Sequence, residues 1–345
     1  MPLLPVLIAL PCLLWTQGPE SAQALKDAGV DRICVAPAEP QPDWRAAGVT
    51  VQVLAADDAA SRDALPTPGI QARAGLGSPT RVPWVNANGW QYRRKPTGKF
   101  AYEVQPGRGA LAAAEAFMYD GEAVLKIDPA DLVETGRMMA FLRTIPAAPG
   151  LTDVADLAVV DDGGPLVGEV MNLLERRNLM FQIVKKPLPK YPINIVLGSP
   201  KYPQADAADP SGFALKIRHQ LTDARRSFRL FGSEVVVARL TRNAHRLRLQ
   251  LLNYSGRELQ GLRVRVRGTW KVKDTFIMSA APSAAAAAAM ADTAAPAAPP
   301  PVGKLTDVIA SGGATEFSVS AMGAFAVIDL TPAAASKPAS KAATH

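Results

Sequence analysis

The sequence predicts a multidomain protein of α/β plus all-β class. A truncated TIM-barrel-like α/β unit is expected over 11–147, a small Rossmann-like α/β unit over 151–205, and a C-terminal antiparallel β-sandwich over 212–330. Three observations predict this. Short apolar runs alternate with helical segments up to residue 147 and again over 156–197, as parallel strands covered by helices do. After residue 212 the apolar period changes to two, as in an antiparallel sheet. The 345 residues, 48% hydrophobic and 20% charged, give room for two or three domains with real cores. That excludes a disulfide scaffold and a wholly disordered chain.

The elements follow in chain order. Residues 3–15 carry no charge, and Ala22, Gln23 and Ala24 offer a small-x-small cleavage site. Residues 1–10 therefore read as a signal segment directing the chain to a secreted or periplasmic location. The run is shorter than the ~20 apolar residues a membrane span needs, so no transmembrane span is expected. A strand over 12–17 and a helix opened by Pro19 and closed by Gly29 lead to a second strand over 32–37, a βαβ unit. Cleavage after Ala24 would remove its first strand. Cys12 and Cys34 fall on the two neighbouring strands, where they read as buried thiols acting as small hydrophobes, with a disulfide as the alternative.

A third strand is expected over 50–54, extended pieces over 82–84 and 90–92, a strand over 99–104, an alanine-rich helix over 109–119, a strand over 123–127 and a helix from Pro129 to Ile145. The second unit opens with a strand ending at Asp161, a turn at Gly163 and Gly164, and an amphipathic helix to Asn178. In the third unit, Leu247, Leu249 and Leu251 alternate with Arg246, Arg248 and Gln250, and Leu262, Val264 and Val266 with Arg263, Arg265 and Arg267. Two strands with one solvated, arginine-rich face are expected. The Ala/Pro-rich stretch 279–303 is a low-complexity loop and 331–345 a disordered tail.

This order of units resembles multidomain bacterial glycoside hydrolases, in particular β-galactosidase-like proteins whose barrel is followed by an amidotransferase-like domain and a β-sandwich. The segments that carry the resemblance are LLWTQGPESAQALKDAGVDRICVAP, AAAEAFMYDGEAVLKIDPADL, VVDDGGPLVGEVMNLLERRNL and LQLLNYSG with GLRVRVRG. They are architectural rather than catalytic. The resemblance implies a carbohydrate partner and, in an active member, two carboxyl groups across a sugar.

In a parallel barrel such groups stand at strand C-terminal ends, where Glu39, Asp57, Asp58, Glu103 and Asp128 fall. Glu103 and Asp128 are the candidate catalytic pair, although an Asp before Pro129 also suits a helix cap. Trp84, Asn86, Asn88, Trp90 and Tyr92 are the candidate substrate-binding residues. On one face of an extended segment, their rings would meet sugar C–H groups and their amides sugar hydroxyls. Glu115 reads as an interior polar contact. The first reading is a secreted glycoside-hydrolase-like protein acting on β-linked carbohydrate through that carboxylate pair; the alternative is a catalytically inactive protein of the same architecture that binds carbohydrate or assembles with partners.

Other chemistries lack support. Three scattered histidines and two cysteines suggest no metal site, and the absence of a cysteine after Cys34 removes the thiol nucleophile of an amidotransferase. Asp161 to Pro165 matches no nucleotide-binding loop, so no cofactor is expected. The formal charge of +7 is local: residues 213–278 hold 15 Lys/Arg against 4 acids, and the remainder is slightly acidic. Without interleaved stacking aromatics this basic module suggests no nucleic acid. The sequence leaves homo-oligomerisation open.

Overall fold

The computed structural model describes residues 10–37, 41–71, 84–279 and 304–333. Most of the expected signal segment and tail, the stretch 280–303, Glu39 and the expected strand residues 82–83 lie outside the described residues.

The first unit is a six-stranded, all-parallel sheet. Its strands belong to the series β1 (Cys12–Leu14), β2 (Arg32–Val35), β3 (Thr50–Val53), β4 (Asp63–Leu65), β5 (Gly69–Gln71), β6 (Trp84–Asn86), β7 (Lys99–Glu103) and β8 (Glu122–Lys126). The order is β3-β2-β1-β8-β7-β4, with β5 and β6 paired separately. Helices α1 (Ala22–Asp27), α2 (Gln41–Ala46), α3 (Ala56–Ala60), α4 (Gly89–Arg94), α5 (Gly109–Met118) and α6 (Leu132–Arg143) connect them. The expected βαβ start is present: Pro19 opens the turn into α1, and Gly29 closes it at φ 74°, a conformation that costs glycine little. Cys12 and Cys34 are joined as a disulfide across β1 and β2, which corrects the reading of two free buried thiols. The short parallel strands bring their Cα atoms to 5.8 Å, within disulfide reach.

The second unit has parallel strands β10 (Leu157–Val160), β11 (Phe181–Val184) and β12 (Asn194–Ile195), in the order β11-β10-β12. Helices α7 (Pro165–Arg176) and α8 (Pro210–Leu221) cover it. Phe213 and Ile217 of α8 belong to this unit's core, so the unit extends past residue 205. Strand β9 (Thr152–Asp153), which precedes it, pairs instead with the sandwich.

The sandwich strands are β13 (Phe228–Phe231), β14 (Val236–Arg242), β15 (Leu247–Asn253), β16 (Leu259–Arg267), β17 (Trp270–Ile277), β18 (Leu305–Ser311), β19 (Ala314–Met322) and β20 (Phe325–Pro332). One sheet runs β13-β16-β19-β18 and the other β17-β20-β15-β14-β9. Leu247, Leu249 and Leu251 face Val264, Val266 and Phe317 across the core.

The opposite face of β15 is not solvated, contrary to the alternating pattern. Leu252 and Tyr254 join Val237, Phe325 and Val327 in a core shared with the first unit, and every residue of β15 is buried. The alanine-rich α5 lies between that face and β8. Its small side chains let two layers approach it, and Asp131 holds its start by accepting hydrogen bonds from the Gly107, Arg108 and Gly109 N–H groups. The arginines are therefore divided between two sheets. Arg248 and Arg246 both meet the buried Asp329, whereas Arg263 and Arg265 share Glu316 on the other sheet. Among the described residues no helix is long and apolar enough to cross a membrane.

Candidate functional site

The parallel register sets the C-terminal ends of β7 and β8 side by side, with Glu103 opposite Lys126. Lys126 Nζ lies 2.6 Å from Glu103 Oε1, and the Glu103 side chain is 81% exposed. The Lys126 hydrogen bond holds the Glu103 carboxyl below its ordinary range, so it is ionised at neutral pH. Asp128 stands two residues beyond β8, on the same edge. Its carboxyl accepts a hydrogen bond from Ala130 N at 2.9 Å and caps the short 3-10 turn Pro129–Asp131. Next to them, Thr67 Oγ1 donates to Glu103 O and accepts from Gln105 N, both at 3.1 Å. The edge thus gathers a carboxylate, an ammonium, a second carboxyl and a hydroxyl. Asp58 is held elsewhere, by Arg62 and Lys99.

The aromatic and amide residues are not on one extended face. The strand ends at Asn86, and Gly89–Arg94 is helical, so residues two apart turn to different sides. Tyr92 is buried in the core of the first unit, where its hydroxyl donates to the Tyr102 hydroxyl at 2.9 Å. Trp90 packs against the second unit, close enough that a Cβ at Gly168 would stand 2.7 Å from its ring. The Arg176 guanidinium covers the Trp84 ring at 3.5 Å. Asn86 donates to Thr67 O at 3.1 Å, and Asn88 is buried against Glu115. The helix forms here because Glu175 accepts the N–H of Trp90 at its first turn, at 2.7 Å. Only a glycine fits at position 89, where a Cβ would overlap Glu175 and the Tyr119 ring.

Those contacts lead to a buried polar cluster that the sequence only hinted at. Glu115 accepts hydrogen bonds from Tyr254 Oη at 2.6 Å, Asn88 N at 2.8 Å, Asn88 Nδ2 at 2.9 Å and Tyr102 Oη at 2.7 Å. One carboxylate therefore ties the parallel sheet to the sandwich. Burial pushes the Glu115 carboxyl up, against the pull of these donors. Glu175 of α7 accepts from Trp90 N and Tyr119 Oη and ties the first unit to the second. The cavity beside Glu175 and Tyr119 measures about 20 Å³, room for one water and not for a sugar. The cluster is structural. Its one sequence signal is spacing: Glu175 follows Met171 by four residues on the apolar face of α7.

No family model matches the sequence, and no curated protein does. Among solved structures the chain is similar to α-L-fucosidase isoenzyme 2 from Paenibacillus thiaminolyticus, at 10% identity and a TM-score of 0.49 over 85% of this chain and 70% of that one. It is also similar to the cold-adapted β-galactosidase from Rahnella sp. R3, at 9% identity and a TM-score of 0.32 over 70% of this chain and 60% of that one. A third is the glycoside hydrolase family 30 subfamily 8 xylanase Xyn30A from Clostridium acetobutylicum, at 8% identity and a TM-score of 0.22 over 94% and 96% of the two chains. The likeness is partial, and none of these scores reaches 0.5.

Proposed function

We propose that the chain is an exported carbohydrate-binding protein of glycoside-hydrolase-like layout, whose sugar-facing surface is the edge formed by Glu103, Lys126 and Asp128. The observation that carries this reading is the exposed Glu103–Lys126 ion pair at the C-terminal edge of the parallel sheet. A carboxylate and an ammonium held 2.6 Å apart can accept from and donate to adjacent sugar hydroxyls. The Cys12–Cys34 disulfide supports a secreted or periplasmic location, because such bonds persist in oxidising compartments.

Hydrolysis of a β-linked sugar by Glu103 and Asp128 is the second reading. It is favoured by their position on neighbouring strand ends and by the ionised Glu103, which suits a nucleophile or base. Hydrolysis also needs an acid whose pKa is raised. Lys126 moves Glu103 the other way.

A glycan array and a panel of aryl β-glycosides test both readings on the full chain. The binding reading expects glycan signal that falls at least tenfold in Lys126→Ala, with no turnover. Turnover abolished by Glu103→Gln and by Asp128→Asn would replace it with the hydrolytic reading. A blank array together with no turnover would reject both.

A further inference from the structure

A cleft of about 360 Å³ opens between α7, α8 and β13. Five arginines line it: Arg176, Arg177, Arg218, Arg226 and Arg229. Two carboxylates pair with four of them. Glu234 stands 4.0 Å from Arg177, and Asp223 meets Arg218 and Arg226 at 3.4 Å each and Arg229 at 3.1 Å. Three guanidiniums thus converge on one carboxylate, and Asp156 is near enough to feel the Arg226 charge. Arg226 is only 7% exposed. The Nε groups of Arg226 and Arg229 are buried and have no hydrogen-bond acceptor among the described residues. A buried cationic donor left without an acceptor is costly, and crowding cations around it adds repulsion. Burial, followed by the repulsion of Arg218, lowers the pKa of Arg226. Leu215 and Phe231, both exposed to solvent, give the cleft an apolar part of its lining.

We infer that this cleft binds a tetrahedral oxyanion, sulfate or phosphate, at the guanidiniums of Arg218, Arg226 and Arg229. The planar forks of arginine match such oxygens with paired hydrogen bonds. An added dianion would balance the excess cations at the guanidinium ends that line the cleft. The volume exceeds that of an inorganic ion and falls in the range of small-molecule pockets, about 300–1,000 Å³. The oxyanion can therefore be free, or an ester on a small sugar whose body lies against Leu215 and Phe231. The inference is independent of the carbohydrate edge at Glu103, which lies on another unit.

Calorimetric titration of the full chain with sodium sulfate, sodium phosphate, galactose 6-sulfate and glucose 6-phosphate tests it, with sodium chloride at matched ionic strength as control. Saturable binding of at least one oxyanion, absent for chloride, is expected, with affinity at least tenfold weaker in Arg218→Gln and in Arg229→Gln. The Arg218 side chain is 50% exposed, so its replacement leaves the fold intact even if Arg229→Gln does not. Esters that bind at least tenfold tighter than the inorganic ions would identify an ester as the ligand, and equal affinities would identify the free ion. Heat no different from that of chloride, or binding unchanged in Arg218→Gln, would overturn the proposal.

Discussion

Glu115 and Glu175 are two buried carboxyls in one network, and they differ in how many donors answer their charge. Glu115 accepts four hydrogen bonds, three of them from Tyr254, Asn88 and Tyr102 side chains. Glu175 accepts two. Burial pushes the Glu175 carboxyl to about 7, opposed by the Tyr119 hydrogen bond and the Arg93 charge and reinforced by Glu115. The folded protein therefore holds this proton more tightly than the unfolded chain, whose Glu titrates near the ordinary ~4.3. Below that value both states are protonated. As pH rises from there to about 7, the unfolded chain alone releases the proton, so stability falls across that window. The loss from this group is on the order of 3 kcal/mol. Glu175→Gln keeps an acceptor for Trp90 N and offers an amide to the Tyr119 oxygen. Urea unfolding at pH 5 and pH 8 should show a smaller loss in the variant than in the natural chain, and equal losses would mean that Glu175 ionises normally.

Among the elements, α6 shows how closely helices pack around the sheet. Gly136 lies where α6 crosses the end of α1, and a Cβ built there would overlap the backbone carbonyl oxygen of Ala28. Backbone cannot rotate aside as a side chain can. Gly136→Ala should therefore destabilise by about 2–3 kcal/mol or more, even though alanine is the better helix former, and thermal unfolding would register it as a lowered Tm. An unchanged or raised Tm would show that α1 yields. Elements whose limits are local were legible in the sequence: Pro19 and Gly29 bracket the first helix, and Asp128 with Pro129 mark the turn before α6. The segment 84–94 was not. A six-residue helix is too short to display a 3.6-residue period, and its aromatic residues two apart imitate a strand. Its start is fixed by Glu175, 85 residues away from Trp90, which no local pattern reveals. The two candidate catalytic carboxyls were placed on one edge by strand ends alone, but the neutralising Lys126 became evident only from the register of β7 against β8.

At the scale of the whole molecule, the sandwich sheet that contains β15 has apolar groups on both faces. Leu249 and Leu251 face the other sandwich sheet, while Leu252, Tyr254 and Phe325 face the first unit. The arginine alternation concealed this because Arg248 is paired: it meets Asp329, with Arg246 on the same carboxylate. Burial would raise the Asp329 carboxyl, and the Arg248 and Arg246 guanidiniums outweigh it and hold it below its ordinary range. With a shared core and a shared hub, the first unit and the sandwich should unfold as one cooperative body. Tyr254→Phe tests this, because it removes the hydroxyl that reaches Glu115 from the sandwich while retaining the ring. Leaving a buried carboxylate one donor short costs roughly 1–3 kcal/mol. Hydrogen exchange followed peptide by peptide across a urea series separates the two bodies: peptides of β1, β7 and β8 report the first unit, and those of β16 and β19 the sandwich. Both signals should move together to lower denaturant in the variant. A sandwich signal that shifts while the first-unit peptides stay in place would show that the two bodies unfold separately, and that Glu115 connects them without coupling their stability.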